Sequence, residues 1–262
     1  MKIPDLPTQS RIASVLSAYD DLIENNEKRI KALEEMAQRL YTEWFVKFKF
    51  PGHEKTPLVD SGTEYGMIPD GWEVSRLDQI AKINSETLKK PHESQIINYI
   101  DIASVSTSKI DVIQPMSFSE APSRARRLVR HGDILWSTVR PNRKSYCLVI
   151  NPMHNLVAST GFAVIRSDKI PYTYLYQSLT TEAFVGYLVN HAQGAAYPSV
   201  KGEDFERSVI LLPTKILLDK FHNATLDLYE EKEKLRESNI CFQKIRDLLI
   251  PQLVTGKQTL KA

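Results

Sequence analysis

The sequence predicts an α+β protein in which one mixed α/β domain is flanked by two long helices that form an antiparallel coiled coil. Three observations carry this prediction. Apolar residues recur in a heptad seam between residues 8 and 48. Runs rich in β-branched and aromatic residues, bounded by Gly, Pro, Asn and Asp, fill residues 67–212. A second seven-residue repeat runs from 215 to 250. The chain therefore divides into a first long helix (1–48), a linker (49–66), a mixed domain (67–212) and a second long helix with a tail (213–262).

In the first helix, Leu16, Tyr19, Ile23, Asn26, Ile30, Leu33, Ala37, Leu40 and Trp44 alternate spacings of three and four, and Ile12 extends the series backwards. This pattern suits a helix packed on another helix rather than one lying on a sheet. Asn26 is the one strongly polar member. Such a residue fixes register or partner at some cost in stability. Pro51 and Gly52 in "FPGHEKTP" end the helix, and the stretch to residue 66 is read as a linker.

The strand-like runs of the mixed domain are "SQIINYIDIASV", "GDILWSTV", "SYCLVIN", "GFAVIR" and "SVILLP". One helix is expected over 171–192, with Leu175, Leu179, Ala183, Phe184 and Leu188 on one face. In the second long helix, Phe221, Leu228, Leu235, Phe242 and Leu249 recur every seven residues. The interleaved positions are mostly polar, so this seam is read as the narrower one. Glu230, Glu231 and Lys232 are read as a solvated face, Pro251 as the helix stop, and Gly256 follows. The two helices open alike, "LPTQ" at 6–9 and "LPTK" at 212–215, which hints at an internal duplication. The simplest arrangement pairs them within one chain; pairing of each with another chain is the alternative.

A content of 42% hydrophobic and 25% charged residues is that of an ordinary globular protein. No apolar run approaches the ~18–20 residues of a membrane span, and "MKIPDLPTQSRIAS" has no apolar stretch of the kind a secretory leader needs. Cys147 and Cys241 are then expected to be free thiols in a reducing, cytoplasmic compartment. A net charge of +2 argues against a protein that coats nucleic acid over its whole surface. The distribution is more telling: residues 122–147 carry +6, leaving −4 for the remainder. Such a segment is the footprint of a polyanion partner; a solvated face with partners elsewhere in the fold is the alternative.

Catalytic machinery is not legible. The sequence has no G-x-G-x-x-G, no phosphate-binding G-x-x-x-x-G-K-[ST] and no C-x-x-C. Its six histidines are scattered singly without zinc spacing. "NPMH" at 151–154 reads as a turn. No catalytic residue, metal ligand or cofactor is expected; the chain reads as a recognition protein.

Four segments carry a resemblance to a known family. They are "GMIPDGWEVSRLDQIAKI" (66–83), "VRHGDILWSTVRP" (129–141), "GAAYPSVKGEDFERSVILLPT" (194–214) and "NICFQKIRDLLIPQLVTGK" (239–257). Together with the first helix they resemble the specificity subunit of type I restriction-modification systems over about residues 6–257. The resemblance implies that 67–212 is a target recognition domain for double-stranded DNA and that the flanking helices are the family's conserved spacer helices. It further implies that these helices dock methyltransferase subunits, that a translocating nuclease subunit then joins, and that the chain has no catalysis of its own. A usual member carries two recognition domains and two such helices. This sequence has helix, domain and helix, in the order of a C-terminal half. A homodimer would restore two readers and read an inverted repeat; a monomer would read one half-site.

In that context the basic segment is expected to face DNA. Arg140, Asn142, Arg143 and Lys144 follow a strand, with Ser137 and Thr138 beside them. Tyr197 and Lys201 in "AAYPSVK" form a second candidate loop, and Arg124, Arg126 and Arg127 a third. For Arg140 a structural ion pair is the rival reading. The competing function is a truncated coiled-coil adaptor without useful DNA recognition.

Overall fold

The computed structural model describes residues 5–89 and 92–255. Gly256, read as following the second helix, lies outside the described residues. In chain order the structure opens with α1 (Leu6–Tyr41), which passes into a π-helical turn over Thr42–Val46. Then come β1 (Leu58–Asp60), β2 (Met67–Pro69), β3 (Glu73–Arg76), a one-turn α2 (Leu77–Ile80) and β4 (Ala81–Ile83). Nine further strands follow: β5 (Ile96–Ile100), β6 (Val105–Ser106), β7 (Lys109–Ile110), β8 (Gln114–Ser117), β9 (Ala125–Leu128), β10 (Ile134–Ser137), β11 (Tyr146–Leu148), β12 (Leu156–Ser159) and β13 (Phe162–Ser167). The chain closes with α3 (Tyr172–Ser178), α4 (Glu182–His191), α5 (Gly202–Arg207), β14 (Val209–Leu212) and α6 (Lys215–Val254). Two compact units result, Met1–Leu40 with Leu226–Ala262, and Tyr41–Thr225.

The second unit is built on two four-stranded sheets, ordered β11-β10-β13-β4 and β8-β5-β12-β9. The first is antiparallel throughout. The second is mixed, because β12 runs parallel to β5. Leu135, Cys147, Phe162 and Val164 of the first sheet share one buried cluster with Ile100, Leu156 and Ala158 of the second. Side chains alternate across a strand, so Ile134 and Trp136 point the other way. There the Trp136 indole donates to the Leu179 carbonyl at 3.0 Å and packs near Phe184 and Phe205. Being covered on both faces explains why β10 reads as an unbroken apolar run rather than an alternating one.

Trp72 of the "GWE" motif is buried against Phe45, Phe48 and Phe50, with ring centroids 5.2–5.8 Å apart. Gly71 precedes it at φ 79°, a conformation glycine enters without steric cost.

The stretch 49–66, read as a linker, contains β1, which pairs antiparallel with β2. Three expectations need correction. The helix expected over 171–192 is two helices. The Thr181 hydroxyl accepts from the Phe184 N–H at 3.2 Å and caps a new helix start. That restart shifts the helical phase, leaving Ala183 exposed and burying Val185. Pro251 does not end α6, which continues to Val254. A proline this close to a C-terminus removes only one ladder donor, and its own carbonyl still accepts from Thr255 at 3.2 Å. Lys232 is not on a solvated face: it is 1% exposed.

Within the helical unit the seam residues of α1 are all covered: Ile12, Asn26, Ile30 and Ala37 are buried, and Leu16, Tyr19, Ile23, Leu33 and Leu40 are half-buried. On α6, Leu235 is buried, and Leu228, Phe242 and Leu249 are half-buried. The interleaved positions are covered too. Asn239 lies buried against Asn26, whose Nδ2 donates to its Oδ1 at 2.8 Å. Lys232 and Arg236 converge on Glu34 at 3.5 and 3.2 Å. The seam of α6 is therefore as wide as that of α1, but polar at alternate positions. Contacts run in opposite sequence order, from Asp20–Arg246 and Tyr19–Phe242 through Asn26–Asn239 to Arg29–Glu231.

Candidate nucleic-acid interface

The strand pair β10–β11 is joined by residues 138–145. Its end is closed by Ser137 N–H donating to Ser145 O at 2.9 Å. At the tip, Pro141–Arg143 form one turn of 3-10 helix, with Pro141 buried. The residues flanking the turn, Arg140 (φ 51°) and Lys144 (φ 54°), both adopt the left-handed conformation. For non-glycine residues this is uncommon and costs of order 1–3 kcal/mol, so the surroundings must hold it.

Those surroundings come from the 193–201 loop and α4. Arg140 N–H donates to Pro198 O at 2.7 Å, and Val200 N–H to Thr138 O at 2.9 Å. Val139 bridges Ser199, and Ser199 in turn bridges Gln193. The Arg140 guanidinium lies 4.6 Å from the centroid of the Tyr197 ring and donates to Ala196 O at 3.3 Å. Lys144 Nζ pairs with Glu182 at 2.6 Å. The two loops that sequence reading treated separately are thus one stitched platform. On it, Asn142 and Arg143 are exposed, Tyr197 is 69% exposed, and Lys201 is exposed at the start of α5. Among the described residues Arg143 forms no ion pair, and neither Asn142 nor Arg143 has a side-chain hydrogen bond.

Two predicted contacts are committed to the fold instead. Ser137 is 3% exposed, and its hydroxyl donates to Val139 O at 2.9 Å, so it presents almost nothing at the surface. Thr138 is half-buried, and its hydroxyl donates to Gly161 O at 2.9 Å.

The third candidate group has a different fate. Residues 125–128 are β9, an edge strand of the second sheet, which the sequence reading did not identify. Arg124 donates to Tyr99 Oη and pairs with Asp101 at 2.6 Å; both contacts hold its pKa above the usual arginine value. Arg126 bonds Ala125 O at 2.7 Å and lies 5.3 Å from the Phe118 ring centroid. Arg127 is half-buried, and burial lowers its pKa. Arg130 pairs with Glu86 at 2.8 Å. Three of the seven bases in the +6 window therefore meet acids from outside it: Asp101, Glu86 and Glu182.

The one acid inside the window is structural. Asp133 has no exposed side-chain surface and receives both Nε and Nη2 of Arg166 at 2.8 Å. Arg166 also reaches Glu86 at 2.8 Å. Its pKa is raised, chiefly by the bond to Asp133. Gly132 before it sits at φ 81°, where an added Cβ would lie 2.9 Å from the Tyr172 ring. The "HGDILW" motif is thus a turn and a buried anchor rather than a contact surface. Among the described residues no cluster of His, Cys, Asp or Glu could hold a metal ion. Neither Cys147, which is buried, nor Cys241, which is exposed, is in a disulfide.

The architecture places the chain beside a defined class of solved proteins. It is similar to the HsdS subunit from Thermoanaerobacter tengcongensis, at 27% identity and TM-score 0.53 over 70% of this chain and 48% of that one. The S subunit of the type I restriction-modification system from M. genitalium shares the fold at 14% identity, with TM-score 0.58 over 95% of this chain and 61% of that one. Its curated relatives are type I restriction enzyme specificity subunits. The MjaIX subunit of Methanocaldococcus jannaschii is 28% identical over 262 residues, covering 97% of this chain and 59% of its own length. The HindI subunit of Haemophilus influenzae is 22% identical over 319 residues, covering 98% and 68%. The chain thus spans less than two thirds of the length of the MjaIX subunit. No protein-family model matches it.

Proposed function

We propose that the chain is a non-catalytic, sequence-specific DNA-binding specificity subunit of a type I restriction-modification complex. Its mixed unit (67–212) is the target recognition domain and reads one half-site of double-stranded DNA. Its long helices form an antiparallel coiled coil that docks methyltransferase subunits, which a nuclease subunit joins. The complex works in the cytoplasm; no helix among the described residues is long and apolar enough to cross a membrane. A homodimer supplies the second reader and recognises an inverted repeat.

The observation that carries this reading is the stitched turn: Asn142 and Arg143 held outward, with Arg140, Lys144, Tyr197 and Lys201 around them. Asn and Arg are the side chains whose geometry matches adenine and guanine edges in the major groove. Adjacent cations supply the phosphate attraction that makes such binding fall with salt. The inverted order of the contacts between α1 and α6 supports the antiparallel pair.

The test is duplex binding at several salt concentrations by the chain and by its Arg140→Ala, Arg143→Ala, Lys144→Ala triple variant. The reading expects salt-dependent binding that the triple variant loses. Equal behaviour of the two proteins would favour the adaptor alternative, in which the helices alone do the work.

A further inference from the structure

The turn at 140–144 contains two kinds of polar side chain, bonded and unbonded. We infer that Asn142 and Arg143 are the base-reading pair, while Arg140 and Lys144 are positioning residues that hold the turn. This rests on the reading of the chain as a DNA-binding protein and assigns the work within that site.

The division follows from what each side chain already touches. Arg140 is engaged through its backbone N–H, its Nη2 and its guanidinium face, with Pro198, Ala196 and Tyr197 respectively. Lys144 is tethered to Glu182 at 2.6 Å, and its N–H donates to Pro141 O at 3.0 Å. A side chain so engaged must give up partners before reaching a base. Asn142 and Arg143 give up none, because they stand exposed without side-chain bonds among the described residues. Their backbones are also fixed: the turn is pinned at both ends by left-handed residues, and Pro141 is buried between them. Two readers on consecutive residues of one rigid turn reach neighbouring positions. Their chemistry is complementary to purines: Arg forks onto guanine O6 and N7, and Asn onto adenine N6 and N7. The half-site is therefore expected to contain an adenine and a guanine at neighbouring base pairs, on either strand.

A positioning role and a reading role separate in an experiment that reports sequence preference and affinity independently. The full chain is used to select bound duplexes from a randomised pool, and the enriched sequences are read out. Wild type should enrich a motif. Arg143→Ala and Asn142→Ala should each lose preference at one position, by roughly 5- to 150-fold in discrimination, and leave the rest of the motif intact. Arg143→Lys should keep the salt dependence but weaken the guanine preference, because an ammonium lacks the planar fork. Arg140→Ala and Lys144→Ala should weaken binding to all sequences alike and leave the motif unchanged. Both readers are exposed, so their variants should melt like wild type. If wild type enriches a motif that the Asn142 and Arg143 variants also enrich, this assignment is overturned while the DNA-binding reading stands. If Arg140→Ala or Lys144→Ala alters one position of the motif, the division of labour is overturned. If wild type enriches nothing, both readings fall together.

Discussion

Two arginine-rich stretches, 124–130 and 140–144, look equivalent as sequence and fold to opposite ends. In the first, Arg124 and Arg130 meet Asp101 and Glu86, Arg126 folds back on Ala125 O, and Arg127 is half-buried in an edge strand. In the second, a turn held by Tyr197, Pro198 and Glu182 presents Asn142 and Arg143 outward. Positive charge counted along the chain therefore overstates the charge left for an outside partner. The acids that neutralise the first stretch lie 23 and 44 residues away, at Asp101 and Glu86.

The largest expected effect breaks the first stretch's scaffold. Arg166 links Asp133, which is fully buried, to Glu86 and through it to Arg130. Arg166→Met should leave the Asp133 carboxylate buried without its cation, at a cost of about 3–5 kcal/mol. Denaturant unfolding measures it. A loss below ~1 kcal/mol would mean that the network is not the anchor its geometry suggests.

The next prediction sharpens the comparison directly. Substituting Arg140, Arg143 and Lys144 together by Ala should weaken duplex binding by roughly ten- to a hundredfold at moderate salt and flatten its salt dependence. The matching triple variant Arg124→Ala, Arg126→Ala, Arg130→Ala should change binding by less than about threefold, because two of the three cations are already neutralised in place. Equal losses in the two variants would erase the distinction between the stretches.

How much of this was legible beforehand follows from where the partners lie. The α1 seam needs only its own spacing to be seen, and its members between Ile12 and Leu40 are buried or half-buried. The runs that became β10, β11 and β13 were recognisable because burial on two faces makes them continuously apolar. Strand β9 was missed because Arg126 and Arg127 made it look like a charged surface; its strand character comes from pairing with β12, a long-range fact. The polar layer of α6 was misread for the same reason. Lys232 looks solvated until Glu34, far away in sequence, is placed beside it. In the site, residue types were visible, but the stitching of 138–140 to 198–200 was not, because no local pattern encodes a bridge between loops 60 residues apart. A local signal for the helix restart does exist in "LTTE", where Thr181 caps α4.

That cap supplies a smaller test. Thr181 starts the helix whose first residue, Glu182, tethers Lys144. Thr181→Ala should cost about 1 kcal/mol in thermal or denaturant unfolding. On the proposed division of the turn, it should also weaken DNA binding without changing sequence preference, since it loosens the Lys144 tether and leaves Asn142 and Arg143 in place. A changed preference would show that the tether itself selects sequence.

The smallest effect lies in the first stretch and depends on pH. Burial alone would raise the pKa of Asp101, but the Ala103 N–H, Arg124 and the Tyr99 hydroxyl bond its carboxylate and bring it below the ordinary value. A depressed folded-state pKa means that the ionised form favours folding. The contribution is fully present above the unfolded value of 3.8 and is lost as pH falls through the lower folded one. Because Arg124 is largely solvated, with 55% of its side chain exposed, the pair itself is worth under about 1 kcal/mol. Asp101→Asn should accordingly lower stability slightly at neutral pH and shrink the difference from wild type on acidification below the carboxylate range. Arg124→Ala should show a weaker version of the same convergence, because the Ala103 and Tyr99 donors remain. Were Arg124→Ala instead to leave stability and its pH profile untouched while weakening DNA binding, the first stretch would have to be counted as interface after all, and the contrast with 140–144 would fail.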